Sequence, residues 1–175
     1  MFPVEVSNRH LHLCKEDYEK LFDKPLTKLR ELSQKGEFAA EQTVVVGCFD
    51  KIRIVGPFRP ESQLEMSATD AKQLDLKLPL RLSGDLYGAP MIEVTGAIGK
   101  VKVPAILAKR HFHCTTEDAK KLRLVNHQKI DAKVNETTFY GVVVRIGFGV
   151  SVLHLDKDEA MLAKVVKGDK FEIVT

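Results

Sequence analysis

Histidine occurs six times in the 175 residues, and four of the six stand in pairs with one residue between them. The first pair is His10 and His12 in "RHLHLCKEDYEKL", the second His111 and His113 in "RHFHCTTEDAKKL". In a strand alternate side chains share a face, so each pair offers two imidazoles together and turns Leu11 or Phe112 the other way. Neutral imidazole nitrogens on a rigid strand suit zinc. Cys114 follows His113, and the same alternation sends it to the opposite face to pack.

The two stretches are copies, with Arg, both His, Glu, Asp, Lys and Leu in register. Sliding "HCTTEDAKKL" (113–122) along the chain finds "EMSATDAKQL" (65–74) and, more faintly, "HLDKDEAMLA" (154–163). The lead residues are then His12, Glu65, His113 and His154, all able to ligate a metal. Two residues after the lead stands Ser67, Thr115 or Asp156, each a good N-cap, whereas Cys14 is a poor one and its helix is expected to fray more. Asp70, Asp118 and Glu159 follow three positions on, placed to answer the cap as in a capping box. Each helix therefore starts with its positive end towards the lead residue's region.

Together His10, His12, Glu65, His111, His113 and His154 make a donor set sufficient for two ions with open positions. A structural zinc site is closed by four ligands, so a surplus of histidine and carboxylate without thiolate reads as catalytic. His127, beside a turn in "LVNHQK", reads as solvated. "HLHLCKE" also fits the His-x-His-x₃-Glu of cupins, but Glu16 falls in a helix start by register with Glu117, and no glycine follows at the spacing a cupin hairpin needs.

Apolar residues make up 44% of the chain and charged residues 29%, the balance of an ordinary globular protein. The length allows one domain or two small ones. Short Val- and Ile-rich runs such as "KIRIVG", "MIEVTG", "GKVKVPAIL", "TTFYGVVVRIG" and "KFEIV" predict many strands. Helices are expected only around Glu16–Phe22, Asp70–Leu76, Glu117–Leu124 and Asp158–Val165. That pattern predicts a mainly β fold, small barrels or a sandwich. The longest stretch that reads as loop is Ser33–Gln42.

The net charge of +3 is spread among mixed signs, and no basic stripe with interleaved aromatics points to nucleic acid. The most apolar stretch, "FYGVVVRIGFGVSVLHL", is interrupted by Arg145 and His154 and reads as a strand pair rather than a membrane span. The start "MFPVEVSNRH" lacks the basic and apolar regions of a secretory signal. Cys14, Cys48 and Cys114 have no CxxC spacing and suit a reducing cytoplasm.

"VSNRHLHL", "LSQKGEFAAEQTV", "VGPFRPESQLEMSATDAKQL", "RLSGDLYGAP", "RHFHCTTEDAKKL" and "LHLDKDEA", in that order, resemble the phosphate propanoyltransferases, the PduL-type phosphotransacylases, from Val4 to about Ala163. The resemblance implies two small β-barrels capped by short helices. Residues 1–22 with 109–175 would form the first barrel and 23–108 the second, with the active site in a cleft between them. It also implies a homodimer, two zinc ions per chain held by the six donors named above, and exchange of phosphate and coenzyme A on a short acyl group, propanoyl or acetyl. Carried across, Arg59 in "GPFRPE" matches the phosphate-contacting arginine and Ser83 in "RLSGD" a serine beside the active site. Coenzyme A contacts fall near Ser7, Arg30, Arg53 and Val55. The chain departs from the family at Lys72 and Met161, near the cofactor region, and in a shortened turn at "GCFDK". Members in microcompartments carry an N-terminal encapsulation extension. This chain starts at the first barrel strand, so a free cytoplasmic enzyme is expected.

The chemistry is consistent with these residues. Phosphate attack on a thioester needs an oxyanion cradle, which a planar guanidinium at Arg59 offers. Zinc would act as a Lewis acid on the carbonyl or the leaving thiolate. No Ser-His-Asp or Cys-His set is visible, which favours direct transfer. Ser83 either donates to the developing oxyanion or is a plain turn serine before Gly84. Two other classes use the same donors: a zinc thioesterase or amidase, and a non-catalytic binding module with structural zinc.

Overall fold

Residues 1–166 and 168–174 are described by a computed structural model of the chain. The strands are β1 (Phe2–Ser7), β2 (His10–His12), β3 (Lys28–Glu31), β4 (Phe38–Val46), β5 (Phe49–Gly56), β6 (Gln63–Met66), β7 (Leu80–Arg81), β8 (Met91–Thr95), β9 (Lys100–Ala108), β10 (His111–Thr115), β11 (Lys129–Val134), β12 (Thr137–Gly147), β13 (Val152–Asp156) and β14 (Lys170–Val174). Four short helices follow the lead residues: α1 (Lys15–Leu21), α2 (Ala68–Gln73), α3 (Thr116–Leu122) and α4 (Lys157–Leu162). The fold is mainly β, as expected. No helix among the described residues is long and apolar enough to cross a membrane.

The chain forms two compact units: residues 1–7, 33–35 and 109–175 in one, residues 8–32 and 36–108 in the other. The first unit is a closed barrel in the order β1-β13-β10-β12-β11-β14, and β14 pairs back to β1. The second is a sheet in the order β3-β4-β5-β2-β6-β9-β7, and β8 pairs both β4 and β9. Its hydrogen bonds therefore also run round a circuit, β4-β5-β2-β6-β9-β8. The circuits match strand for strand. β2 is parallel to β5 and antiparallel to β6, as β10 is parallel to β12 and antiparallel to β13. β9 lies parallel to β6 as β1 lies parallel to β13. The repeat in the sequence is thus a repeat of topology, with the lead strand of each copy, β1 or β9, placed in the other copy's circuit.

One boundary differs from where the resemblance put it. Residues 8–22 belong with the second unit, not with 109–175, because β2 pairs β5 and β6 and Leu11, Leu13, Tyr18 and Leu21 pack in that unit's core. The expected loop Ser33–Gln42 is also shorter. From Phe38 onwards the chain is β4, with Ala39 and Ala40 buried and Phe38 opposite Gly56, where a Cβ would lie 2.3 Å from the Phe38 ring. The core of the first unit is built on Phe112, Cys114, Leu153, Leu155 and Phe171.

The helix starts follow the repeat with a chemical refinement. Ser67, Thr115 and Asp156 cap α2, α3 and α4 by accepting from the N3 backbone, and Cys14 makes no side-chain cap. A full capping box forms only in α4, where Glu159 reaches back to the Asp156 N–H. Aspartate is one methylene shorter, so in α1 and α3 a serine bridges the gap. Ser62 Oγ accepts from Cys14 N–H at 3.0 Å and donates to Asp17 at 2.6 Å. Ser151 does the same between Thr115 N–H and Asp118.

An arginine fastens each histidine strand to the helix following the neighbouring strand. Arg9 pairs with Asp70 at 3.0 Å and stacks on Phe49 at 4.1 Å. Arg110 pairs with Glu159 at 2.6 Å and lies over Phe139 at 5.7 Å. Asp70 is fully buried, so removing its arginine strips a counter-ion from a desolvated carboxylate. Arg9→Met is expected to cost about 3 kcal/mol in urea unfolding, and Arg9→Met with Asp70→Asn to recover part of the loss. A single variant as stable as wild type would contradict this role.

Candidate functional site

The six candidate donors form two triads, one in each unit. In the second unit antiparallel pairing puts Glu65 of β6 directly opposite His10 of β2, and alternation brings His12 to the same face while Leu11 enters the core. Glu65 Oε1 lies 3.8 Å from Nε2 of His10 and 3.8 Å from Nε2 of His12. In the first unit His154 of β13 stands opposite His111 of β10. Their rings stack with centroids 5.0 Å apart, and His113 meets His154 edge-on at 5.0 Å. In each triad the donor atoms lie within 4.8 Å of one another. Cys114 is buried on the opposite face, as alternation requires, and His127 is exposed.

The tautomers suit metal binding. Nδ1 of His10 lies 2.8 Å from the Asn8 carbonyl, Nδ1 of His12 3.2 Å from that of Val55, and Nδ1 of His111 2.9 Å from that of Lys109. A carbonyl only accepts, so in each ring the proton sits on Nδ1 and Nε2 keeps its lone pair for the shared point. His154 Nδ1 is 3.4 Å from Ser7 Oγ. Burial above all, with the nearby Arg59 guanidinium, lowers the His12 pKa to about 3, so His12 is neutral near pH 7. Burial alone would raise the Glu65 carboxyl, but His10, His12, the Ser83 hydroxyl and Arg59 together hold it well below the usual carboxylate range. Neutral imidazoles and one anionic carboxylate fit zinc.

Arg59 and Ser83 are drawn to this triad by a residue the sequence reading missed. Arg59 Nη1 donates to Ser83 Oγ at 2.7 Å and Nη2 to Glu37 at 3.0 Å. Gln63 Nε2 donates to Ser83 Oγ at 2.6 Å and also to Glu65, while Gly84 N–H donates to Gln63 Oε1 at 2.9 Å. The route runs Arg59–Ser83–Gln63–Glu65. Gln63 is two residues before Glu65 and on its face of β6, a signal that strand alternation carries; Glu37 has no such signal.

The residues matched to coenzyme A contacts are distributed. Ser7 stands beside His154 in the first unit. In the second, Arg30, Ala39 and Val55 form one row across β3, β4 and β5, with Arg30 exposed and Val55 buried. Arg53 Nη1 donates to the carbonyls of Ala40 and Glu41 at 2.9 and 2.8 Å. Lys72 lines a recess with Leu76, Leu78 and Leu107, and Met161 is 76% exposed on α4. The shortened turn at "GCFDK" is a hairpin with Val46 opposite Phe49 and Gly47 at φ 54.

Known proteins are similar to the chain over most of its length. The family model for phosphate propanoyltransferase matches residues 3–166. The chain belongs to the phosphate propanoyltransferase family. A phosphate propanoyltransferase of Clostridioides difficile (strain 630) is 38% identical over 183 residues, covering 98% of this chain and 88% of the relative. One of Lachnoclostridium phytofermentans is 40% identical over 186 residues, covering 99% and 85%. That of Salmonella typhimurium is 37% identical over 173 residues, covering 92% and 82%.

Glu65 is the anionic member of the second unit's candidate triad. Glu65→Gln removes the charge and leaves a weak amide oxygen, so zinc affinity at that centre is expected to fall at least tenfold in a chelator competition titration, while the other triad keeps its affinity. Unchanged affinity at both would make Glu65 a structural residue only.

Proposed function

We propose that the chain is a zinc-dependent phosphate acyltransferase, interconverting a short-chain acyl-CoA and phosphate with an acyl phosphate and coenzyme A. Membership of an acyltransferase family supports the reaction class. The observation that carries the reading is the hydrogen-bonded route from Arg59 through Ser83 and Gln63 to Glu65, which joins an oxyanion-binding group to a candidate metal centre.

In the forward direction a phosphate oxygen attacks the thioester carbonyl carbon. A C–O bond forms, the C–S bond breaks, and coenzyme A leaves as the thiolate. His10, His12 and Glu65 would hold one zinc ion and His111, His113 and His154 another, which would supply Lewis acidity for the carbonyl oxygen or the departing sulfur. Arg59 holds the phosphate: two bonds to Ser83 and Glu37 fix its plane, and a guanidinium carries five N–H donors, so others remain for phosphate oxygens. Ser83, which accepts from both Arg59 and Gln63, keeps that cradle in fixed relation to Glu65. Ser7, Arg30, Arg53 and Val55 contribute to holding coenzyme A.

Arsenate separates this reaction from hydrolysis, because acyl arsenates break down in water unaided. A phosphotransacylase releases coenzyme A from propanoyl-CoA continuously with arsenate and barely at all without an oxyanion. A zinc thioesterase gives steady oxyanion-free release, and a binding module gives none under either condition; either outcome would overturn the proposal. In the same assay Arg59→Lys is expected to raise the KM for arsenate about tenfold, about 1.4 kcal/mol, with the acyl-CoA KM little changed.

A further inference from the structure

We propose that Glu5 is the fourth protein donor to the ion held by His111, His113 and His154. This rests on the reading of that triad as a zinc centre. Glu5 lies on β1, the exchanged strand, which runs parallel to β13 with Glu5 directly opposite His154. Cross-strand neighbours share a face, and His154 is in turn opposite His111, so Glu5, His154 and His111 form one row across three strands. Val4, on the other face, is buried in the barrel core.

The distance fits a shared ion. Glu5 Oε2 is 3.9 Å from His154 Nε2. Two donors bound 2.0–2.2 Å from one zinc lie at most about 4.3 Å apart. Glu65 meets the same limit with its two histidines at 3.8 Å. The carboxylate stands at the His154 edge of the triad, outside the set of donor atoms that lie within 4.8 Å of one another, and would have to rotate inward to ligate.

Glu5 is also held in the way ligating carboxylates are held. Ser33 Oγ donates to Glu5 Oε2 at 2.6 Å. Residues 33–35 belong to this unit although both flanking stretches of chain belong to the other. Gln34 Nε2 donates to the Val150 carbonyl at 3.2 Å. The approach needs glycine opposite, since Gly149 is at φ +120 and a Cβ there would lie 2.7 Å from Gln34 Oε1.

Comparison of the two circuits gives the reason for a carboxylate at this position. In the second unit the corresponding row is Ile106, Glu65, His10, with the acid on the middle strand and a fully buried isoleucine beside it. In the first unit the middle strand carries His154, and the acid stands one strand over, at Glu5. Each ion then meets one anionic oxygen, where three neutral imidazoles alone would leave its charge uncompensated.

The test is a zinc titration against a chromophoric chelator on wild type, Glu5→Gln, Glu65→Gln and the double variant, with thermal melts of the zinc-free and zinc-loaded proteins. Glu5→Gln is expected to lose at least tenfold affinity at one site, the site that Glu65→Gln spares, so the double variant is weakened at both. The zinc-free melting temperature stays at the wild-type value, and the zinc-induced rise shrinks. Ser33→Ala is expected to weaken the same site severalfold, which keeps the test open if Glu5→Gln folds poorly. Wild-type affinity at both sites in Glu5→Gln and Ser33→Ala, or a loss that falls on the Glu65 site, would overturn the role of Glu5. Wild-type protein that takes up no zinc would overturn the zinc reading and this proposal together.

Discussion

The antiparallel register between a His-x-His strand and its neighbour governs both triads. It sets Glu65 opposite His10 and His154 opposite His111. A slip of one residue would turn every side chain of the strand to the other face, exchanging Leu11 and Phe112 with the imidazoles. The register is therefore held by the cost of exposing Leu11, Leu64, Phe112 and Leu153, all fully buried. The apolar residues between the donors fix the donors, and the two requirements are met by a single alternation.

Around that register each copy repeats the same fastenings. An arginine just before the histidine pair reaches the acidic N3 residue of the helix that follows the neighbouring strand. A serine three residues before Glu65 or His154 ties the neighbouring strand to the helix that follows the histidine pair. Each histidine strand is thus held at both ends by side chains that do not touch the donor atoms. The copies then diverge where chemistry does: only the second has the Gln63–Ser83–Arg59 route, and only the first has glutamate on its exchanged strand.

The grouping of the six candidate donors was legible because lead residues recur at fixed spacing ahead of a helix start, and period-2 alternation says which way each points. Helix caps were legible for the same local reason. What escaped depended on contacts far apart in the chain. That the chain leaves the first unit after β1, so that β2 and α1 stand in the second, has no local mark, and neither does the approach of Glu5 to His154. Phe38–Gln42 reads as loop because its alternation is broken by a register shift between Ala39 and Thr43. Capping boxes expected at Asp70 and Asp118 do not form directly, since aspartate is too short without a bridging serine and Asp70 instead meets Arg9.

The central claim is that one strand module, written twice, makes two nitrogen- and oxygen-lined zinc centres. Zinc K-edge X-ray absorption with metal analysis, on protein never exposed to chelator, addresses it most directly. The account predicts close to two zinc ions per chain, bound by imidazole nitrogen and carboxylate oxygen with no sulfur from the protein. Less than one ion per chain, or zinc–sulfur scattering from Cys14, Cys48 or Cys114, would contradict it.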